Sequence, residues 1–264
     1  MNLYQAAYDC LMQTDVQKKQ NCVDALYQNW ADAKLNRQPF DLLRIESPGR
    51  PEKPPLISPS GLKQRKLGSE KGRATLIHAI THIEFNAINL ALDAVYRFRD
   101  MPEDFYTDWI QVAYEESYHF SLLNDRLEQL DYHYGDFPAH NGLWEMALKT
   151  DHDVLTRMAL VPRVLEARGL DVTPAMMEKL AKAGDTKTVN VLKVILRDEI
   201  GHVAIGSRWF KFCCQGQGVN DPEKKFRELI QEYMGSGLRG PFYREARIQA
   251  GFSQEEMDEL IKMT

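Results

Sequence analysis

Two short segments of the chain share one pattern, a glutamate followed three positions later by a histidine. They are Glu116 with His119 and Glu199 with His202. Residues three positions apart lie on one face of a helix, so both side chains of each pair can reach the same metal ion. One such pair occurs by chance in many helices, and its meaning depends on what accompanies it.

Two single glutamates, Glu84 and Glu166, complete a repeated arrangement. Glu84 precedes Glu116 by 32 residues, and Glu166 precedes Glu199 by 33. Glu84 and Glu116 also lie 16 residues on either side of Asp100, at the expected turn between their helices. Antiparallel helices rise about 1.5 Å per residue from a shared turn, which predicts equal heights for these two acids. The repeat indicates an internal duplication of a metal half-site.

All four glutamates interrupt apolar stripes that have helical spacing. One stripe passes through Trp109 and Val112, meets Glu116 and His119, and continues through Phe120. A buried carboxylate is costly unless it is paired or binds a metal, and no comparable set of lysines or arginines shares these stripes. Two divalent cations would balance the four negative charges, which predicts a neutral site inside the core.

This combination of residues predicts a complete ligand set for two metal ions. Its members are Glu84, Glu116, His119, Glu166, Glu199 and His202. The same combination holds the metals of ferritin-like di-iron and di-manganese carboxylate proteins. Oxygen and nitrogen ligands without thiolate favour two iron ions, with manganese or a mixed pair as alternatives. Glu116 and Glu199 are expected to bridge the ions, the other glutamates to be terminal and movable, and each histidine to bind one ion.

Four long helices are expected to position these ligands. They span about Arg73–Arg99, Pro102–Leu130, Gly142–Arg168 (closed by Gly169) and Thr186–Cys214, with a short helix over Thr173–Ala183. Further helices are expected over residues 1–37, Asp221–Met234 and Ser253–Met263. No strand-like alternation competes. The predicted fold is all-α, a ferritin-like four-helix bundle over residues 72–216, with an N-terminal part over 1–71 and C-terminal helices over 217–264.

Length and composition are those of an ordinary globular protein. The 264 residues can bury a sizeable core, and the net charge of −5 neither favours nor excludes a nucleic-acid partner. No apolar run reaches the roughly 18–20 residues of a membrane span, and the N-terminus lacks a signal-peptide pattern, so a cytoplasmic protein is expected. The four cysteines lack the spacing of a zinc site and are expected to be reduced and packed in helices.

Two segments outside the long helices leave their roles open. Residues 39–72 contain six prolines, and residues 46–75 carry seven Lys or Arg against three Glu, a net charge of +4. A solvated extended strap over the bundle is expected there, with a surface for phosphate-bearing partners as the alternative. Glycines predict a flexible connection or lid over Gly235–Arg247. Its Arg239, Arg244 and Arg247 are expected to be surface charges, with contact to an anionic substrate as the alternative.

Further histidines are not expected to bind the metals. His78 and His82 point away from Glu84 around their helix, which favours a polar or capping role. His152 lies too far along the third helix to meet Glu166, and the remaining histidines, His133 and His140, lie in an exposed loop.

The acids Glu115 and Asp198 give both paired segments the form acid-Glu-x-x-His. This form resembles that of bacterial di-iron monooxygenases and ribonucleotide reductase small subunits, in which such an acid hydrogen-bonds a histidine ligand across the site. The resemblance implies that Asp198 orients His119 and that Glu115 orients His202. Two ordinary surface acids are the alternative.

Much of the chain, from about Pro48 to Phe210, resembles an uncharacterised bacterial family of ferritin-like proteins known as a domain of unknown function. The residues that carry the resemblance are Gly68-Ser69, Gly72-Arg73, His78, His82-Ile83-Glu84, Asn86-Ala87, Glu115-Glu116, His119-Phe120, Val161-Pro162-Arg163, Leu165-Glu166-Ala167-Arg168-Gly169-Leu170-Asp171, Asp198-Glu199 and His202. The resemblance implies a ferritin-like fold and a metal site, and brings no substrate. The ligand pattern is more distantly similar to that of the di-iron tRNA hydroxylase that acts on isopentenyl-type adenosines.

These observations favour an oxidoreductase in which two ferrous ions activate dioxygen to hydroxylate or oxidise an unidentified organic substrate. A modified nucleoside in tRNA is a weakly supported substrate, and a separate electron-donor protein is a further expected partner. An iron-handling, ferroxidase-like protein and a non-catalytic metal-binding module are the alternatives.

Overall fold

A computed structural model describes residues 1–38, 41–62, 66–235 and 238–263 of the chain. These residues form helices joined by turns and loops, and no β-strand occurs among them, which confirms the all-α prediction. The chain divides into two compact units, Met1–Leu148 and Lys149–Thr264. The division into three parts at residues 71 and 216 stays a prediction. Within the described ranges, no helix combines the length and hydrophobicity that crossing a membrane requires.

The described part of the first unit contains two N-terminal helices, two long helices and one short helix after them. Its helices are α1 (Leu3–Leu11), α2 (Val16–Ala31), α3 (Glu70–Arg97), α4 (Glu103–Glu128) and α5 (Gly142–Lys149), which ends at the boundary of the unit. Helix α3 begins where the Ser69 hydroxyl accepts a hydrogen bond from the Gly72 amide, a common N-terminal cap. Helix α4 begins after Pro102, with two acids in its first turn. The bounds of both long helices agree with the prediction to within about three residues.

A disulfide between Cys10 and Cys22 joins α1 to α2. The expectation of four reduced cysteines is therefore wrong for this pair. The turn between the two helices brings the Cα atoms to 5.3 Å, within the range that a disulfide spans. Spacing along the chain did not reveal this, because the contact depends on how the helices fold back on each other. Cys213 and Cys214 are free and buried, as expected.

The proline-rich segment lies extended against the first unit over its described residues, 41–62 and 66–69. Ile57 and Ala139 are joined by a backbone hydrogen bond of 2.9 Å, and the Trp144 indole donates to the Glu46 carbonyl at 3.0 Å. A 3₁₀ turn, Pro59–Gly61, is its one described helical element. The described residues of this segment are largely extended, as expected, and their placement over a four-helix bundle stays a prediction. The predictions on Pro39, Lys63 and Arg65 lie outside the described residues, and a phosphate-binding role stays a prediction.

The second unit contains a run of helices and one π-helix. They are α6 (Val154–Leu160), the π-helix (Val161–Glu166), α7 (Ala167–Lys182), α8 (Thr186–Gly216), α9 (Pro222–Met234), α10 (Arg244–Gln249) and α11 (Gln254–Lys262). Helices α8, α9 and α11 confirm the predictions for these regions. Asp221 and Ser253 cap α9 and α11 through their side chains.

The third long helix is not the single helix that was predicted. The chain breaks after α5 and restarts at Asp153, whose carboxylate accepts the Thr156 amide at 2.8 Å. Gly169 and Pro174 lie inside α7 instead of separating two helices. A buried apolar face stabilises a helix more than these two residues weaken it, and α7 buries Leu170 and Leu180 completely.

Part of the stretch Gly235–Arg247 is helical and not a flexible connection, because α10 begins at Arg244. Arg244 pairs with the exposed Asp258 at 2.5 Å, as expected for a surface charge. Arg247 is 1% exposed and bonded to Asp171, so the prediction of a surface charge is wrong for it, and a contact to an anionic substrate stays a prediction. Gly237 lies outside the described residues.

Candidate metal centre

Helices α3 and α4 pack against each other and position the first group of predicted ligands. Glu84 lies 13 residues before the end of α3, and Glu116 lies 13 residues after the start of α4. Equal distances from the connecting turn place the two acids at the same height, as predicted from the sequence. His119 lies one turn further along α4, on the same face as Glu116.

The three side chains form a buried cluster within the first unit. The Nδ1 atom of His119 lies 3.3 Å from Oε2 of Glu116 and 3.5 Å from Oε2 of Glu84. One potential ligand atom from each residue lies within 4.8 Å of those of the others. Glu84 is 3% exposed, and Glu116 and His119 are fully buried. The predicted burial and convergence of these three residues are therefore present in the first unit.

The electrostatics of this cluster call for positive charge. Burial acts to lower the pKa of His119, but hydrogen bonds and attraction from Glu116 and Glu84 outweigh burial and raise the pKa to about 11. A proton on the imidazole thus balances part of the negative charge when no metal is bound. A divalent cation would balance more of this charge and would displace the proton, because a metal ligand must be deprotonated.

The donor atoms suit a hard or borderline divalent ion. Two carboxylates and one imidazole are ligands that iron and manganese accept readily, and no thiolate accompanies them among the described residues. The cysteines do not change this assignment. Cys10 and Cys22 form a disulfide, and burial raises the pKa of Cys213 to about 12, so its thiol stays protonated.

The second group of predicted ligands lies in the second unit. Glu199 and His202 are three residues apart on α8, with Nδ1 of His202 3.7 Å from Oε1 of Glu199. His202 is 1% exposed, and the Glu199 side chain is 12% exposed. Glu166 is the last residue of the π-helix and is also partly exposed. The two acids of this group are thus less buried than Glu84 and Glu116. The meeting of the two groups around a metal pair stays a prediction.

The π-helix packs closely on α8 within the second unit. A Cβ atom at Gly206 would lie 2.3 Å from Cβ of Pro162, which is nearer than real Cβ contacts allow. Only glycine therefore permits this approach. Proline lacks an amide hydrogen and disturbs a regular helix, and a π-helix is one of the irregularities that accommodate such a residue. The sequence showed Pro162 but did not reveal the π-helix.

Glu115 and Asp198, the acids expected to orient the histidines, have partners in their own units. Glu115 accepts a hydrogen bond from Gln111 at 2.6 Å, and Asp198 accepts one from Arg197 at 2.7 Å. Each contact is compatible with a further bond to a histidine, because a carboxylate has two oxygens. The orienting roles stay predictions.

His78 and His82 have the polar roles that were predicted. The His78 Nε2 atom accepts a hydrogen bond from the Gly135 amide at 2.9 Å, and Nδ1 of His82 lies 2.8 Å from the Tyr134 hydroxyl. Burial lowers the pKa of both histidines to about 4, so they are neutral.

The loop histidines differ in exposure. His133 is exposed as expected, but His140 is partly buried, because the loop folds back on α3.

Two buried arginine–carboxylate pairs of the second unit were not found from the sequence. Arg163 binds Glu256 at 2.6 Å, and Arg247 binds Asp171 at 2.8 Å. Each pair joins residues more than 70 positions apart in the chain. The family resemblance contained Arg163 and Asp171, but nothing in the sequence indicated their partners.

Comparisons with known proteins give a family without an assigned activity. Residues 12–258 match a family model described as "Protein of unknown function (DUF455)". A protein of Haemophilus influenzae named "Uncharacterized protein" is 47% identical over 266 residues, which cover 97% of this chain and 92% of that protein. No solved structure matches the chain significantly.

Proposed function

Because the chain belongs to the DUF455 family, whose name carries no activity, we propose its function from the chemistry of the candidate centre. The protein is a di-iron carboxylate oxidoreductase that uses dioxygen to hydroxylate or otherwise oxidise an organic substrate. In this proposal α3 and α4, together with the π-helix–α7 segment and α8, are the four helices of a ferritin-like bundle. Its six predicted ligands bind two metal ions.

The observation that carries the proposal is the cluster of Glu84, Glu116 and His119. Two carboxylates stand beside one imidazole in the interior, at 3.3 and 3.5 Å. Such a group is a weak source of stability by itself, because two carboxylates are removed from water side by side. A cation that binds there would stabilise both carboxylates. Strongly perturbed titratable groups of this kind are typical of functional sites.

The second group supports the same proposal by its composition. Glu166, Glu199 and His202 repeat the two carboxylates and one imidazole of the first group. Six protein ligands shared by two ions leave coordination positions for a substrate or dioxygen. The metals, when bound, supply electrons and Lewis acidity for the oxidation. The chain contributes the ligand positions and the exclusion of water around Glu116 and His119.

Metal analysis tests the proposal directly. Protein purified under reducing conditions, or loaded with Fe²⁺ without oxygen, should bind two ions per chain. The variants His119→Ala and His202→Ala should each lose one ion, whereas His152→Ala, which removes an exposed histidine of the second unit, should keep both. A wild-type chain that binds no iron and no manganese contradicts the proposal.

Oxygen exposure of the loaded protein separates the oxidoreductase from its alternatives. Oxygen consumption in proportion to bound iron, with a short-lived change in optical absorption, supports an oxidoreductase. Mineral growth beyond two irons per chain would indicate an iron-handling protein. An inert loaded site would indicate a non-catalytic metal-binding module.

The substrate requires a comparison of cells with and without the gene. Metabolite profiles and tRNA-modification profiles of a deletion strain should show one compound that accumulates in its less oxidised form. Complementation with wild-type protein should restore the oxidised form of this compound, and complementation with Glu116→Ala should not. A change confined to tRNA nucleosides would favour the tRNA alternative.

A further inference from the structure

The π-helix carries a buried arginine, Arg163, three residues before the predicted ligand Glu166. π-Helices are rare, occur mostly as single turns inside α-helices and are frequently found at functional sites. The π-helix here contains six residues, Val161–Glu166. A regular α-helix largely determines where its side chains lie, whereas the position of this short segment depends on the groups that hold it. Arg163 is 1% exposed and is well placed to hold it.

Arg163 joins the π-helix to two other helices of the second unit. Its Nη2 atom donates to Oε1 of Glu256 at 2.6 Å, and its Nε atom donates to Oγ of Ser207 at 3.2 Å. Ser207 lies on α8, five residues after His202. Glu256 lies in the first turn of α11, where its amide donates to the Ser253 hydroxyl. The guanidinium therefore connects the ligand-bearing segment to α8 and to the C-terminal helix.

Three aromatic rings surround the guanidinium of Arg163. The centroids of Phe210, Phe226 and Phe252 lie 4.8, 4.2 and 4.4 Å from its Cζ atom. Attraction between a cation and a ring face is strongest where water is excluded, as it is here. The rings come from α8, from α9 and from the segment before α11. The three rings restrict the movement of the Arg163 side chain.

Stability alone is a weak reason for this arrangement. A buried ion pair can often be replaced by apolar side chains of similar volume without loss of stability. Its directional hydrogen bonds, however, favour one arrangement of the joined segments. The close contact of Pro162 with Gly206 restrains the same π-helix from the side of α8. Both restraints act on the segment that ends at Glu166.

We propose that Arg163, held by Glu256 and the three phenylalanine rings, is a positioning residue that sets the place of Glu166 as a metal ligand. The inference rests on the proposed function, because it assumes that Glu166 binds one of two metal ions. It gives the C-terminal helices α9 and α11 a role, namely to brace the metal centre through one arginine.

Arg247 provides a matched control for Arg163. It too is 1% exposed, it pairs with a buried carboxylate, Asp171, at 2.8 Å, and it lies 5.1 Å from the ring of Phe252. It belongs to α10 and not to the π-helix. Replacing either arginine by methionine removes one buried ion pair beside Phe252. Only Arg163→Met removes a hydrogen bond from the π-helix.

The test is an anaerobic titration of the full chain with Co²⁺, whose visible absorption follows the occupation of each site, together with thermal unfolding of the metal-free protein. The variant Arg163→Met should lower the affinity for one of the two ions by about 10–100-fold. This is the usual effect of losing a group that orients a ligand. The other ion should bind as in the wild type. Arg247→Met should keep both affinities even if it lowers the unfolding temperature equally.

Two further variants protect the test against a folding defect. The double variant Arg163→Met/Glu256→Met leaves no unpaired buried charge and should fold, yet it should show the same selective loss of one ion. Arg163→Lys keeps a positive charge near Glu256 without the second bond to Ser207, and should fall between the wild type and Arg163→Met.

The outcomes distinguish this inference from the proposed function. If the wild type binds two ions and Arg163→Met and the double variant both bind them normally, the positioning role is wrong and the metal centre stands. If Arg163→Met and Arg247→Met lower the affinities for both ions equally, Arg163 has only a structural role. That outcome would also overturn the positioning role. If the wild type binds no metal, the proposed function and this inference both fail.

Discussion

The two groups of predicted ligands differ in the backbone that carries them. In the first, Glu84, Glu116 and His119 lie on α3 and α4, and both helices are regular around them. In the second, Glu199 and His202 lie on the regular α8, but Glu166 ends a π-helix. Ligand geometry in the first group follows from spacing along the chain. In the second it depends on how neighbouring segments hold an irregular turn.

Burial differs between the two groups in the same sense. Glu84 and Glu116 are almost completely buried, whereas Glu166 and Glu199 are partly exposed. Charges removed from water interact more strongly than charges near it. The ion bound by His119 should therefore be held more tightly than the ion bound by His202. The ligands of the second group should change position more easily.

The largest expected effect comes from removing one terminal glutamate in each group. Glu84→Ala should weaken metal binding more than about 100-fold, because a buried site has no water to replace the lost ligand. Glu166→Ala should cost about 10-fold, since water can reach this partly exposed position. Anaerobic titrations with Fe²⁺ or Co²⁺ measure both. Equal losses of metal affinity in the two variants would contradict the difference in burial between the two groups.

The close approach of the π-helix to α8 is the next target. Gly206→Val should lower the free energy of unfolding by about 3 kcal/mol, because the new side chain overlaps Pro162. Gly201→Ala on the same helix is the control. Its added Cβ meets nothing within 4 Å, and it should stabilise the protein by up to about 1 kcal/mol. Urea unfolding measures both, and a well-tolerated valine at position 206 would argue against the packing described.

The disulfide braces only the first unit. The double variant Cys10→Ser/Cys22→Ser should lower the free energy of unfolding by about 2–3 kcal/mol, as expected for a short closed loop. Metal affinity should change little, because the cysteines lie on α1 and α2, which carry no predicted ligand. Calorimetry under oxidising and reducing conditions gives the first quantity. A wild type whose stability does not respond to reductant would show that the bond is absent in solution.

A further expected effect is a pH dependence of stability that belongs to the first group. The pKa of His119 in the folded, metal-free protein is about 11, above the ordinary value of 6.5. Its contribution to stability is therefore fully present below about pH 6.5 and is lost as the pH rises towards 11, by at most about 1.4 kcal/mol per pH unit. Urea unfolding of the wild type and of His119→Gln between pH 6.5 and 10 isolates this contribution. If the free energies of unfolding of the two proteins change with pH in parallel, His119 makes no such contribution.

Metal binding should depend on pH in the opposite sense. Because an ion displaces the proton of His119, the affinity of the first group should rise with pH over the same interval. His202→Gln leaves this proton in place and should keep the pH dependence, and an affinity of the first group that does not change with pH would contradict the displacement of the proton.

Much of the fold could be predicted because it depends on local pattern. The apolar stripe predicted α3 and the expected turn before Pro102 predicted the start of α4, whereas the Ser69 cap was found only in the structure. The third long helix was predicted wrongly for a physical reason. Gly169 and Pro174 weaken a helix locally, but buried residues such as Leu170 and Leu180 keep α7 continuous, and the energy of that packing comes from residues distant in the chain.

The amino-acid sequence by itself determined the candidate ligands of the first unit, because residue type, the three-residue spacing of Glu116 and His119, and equal distances from a turn are properties of one chain read in order. Tertiary structure decided what depends on segments meeting across long stretches of chain. The Cys10–Cys22 bond, the π-helix against Gly206 and the pairing of Arg163 with Glu256 belong to this class. Contacts of this kind arise from packing, and packing is not encoded in local spacing.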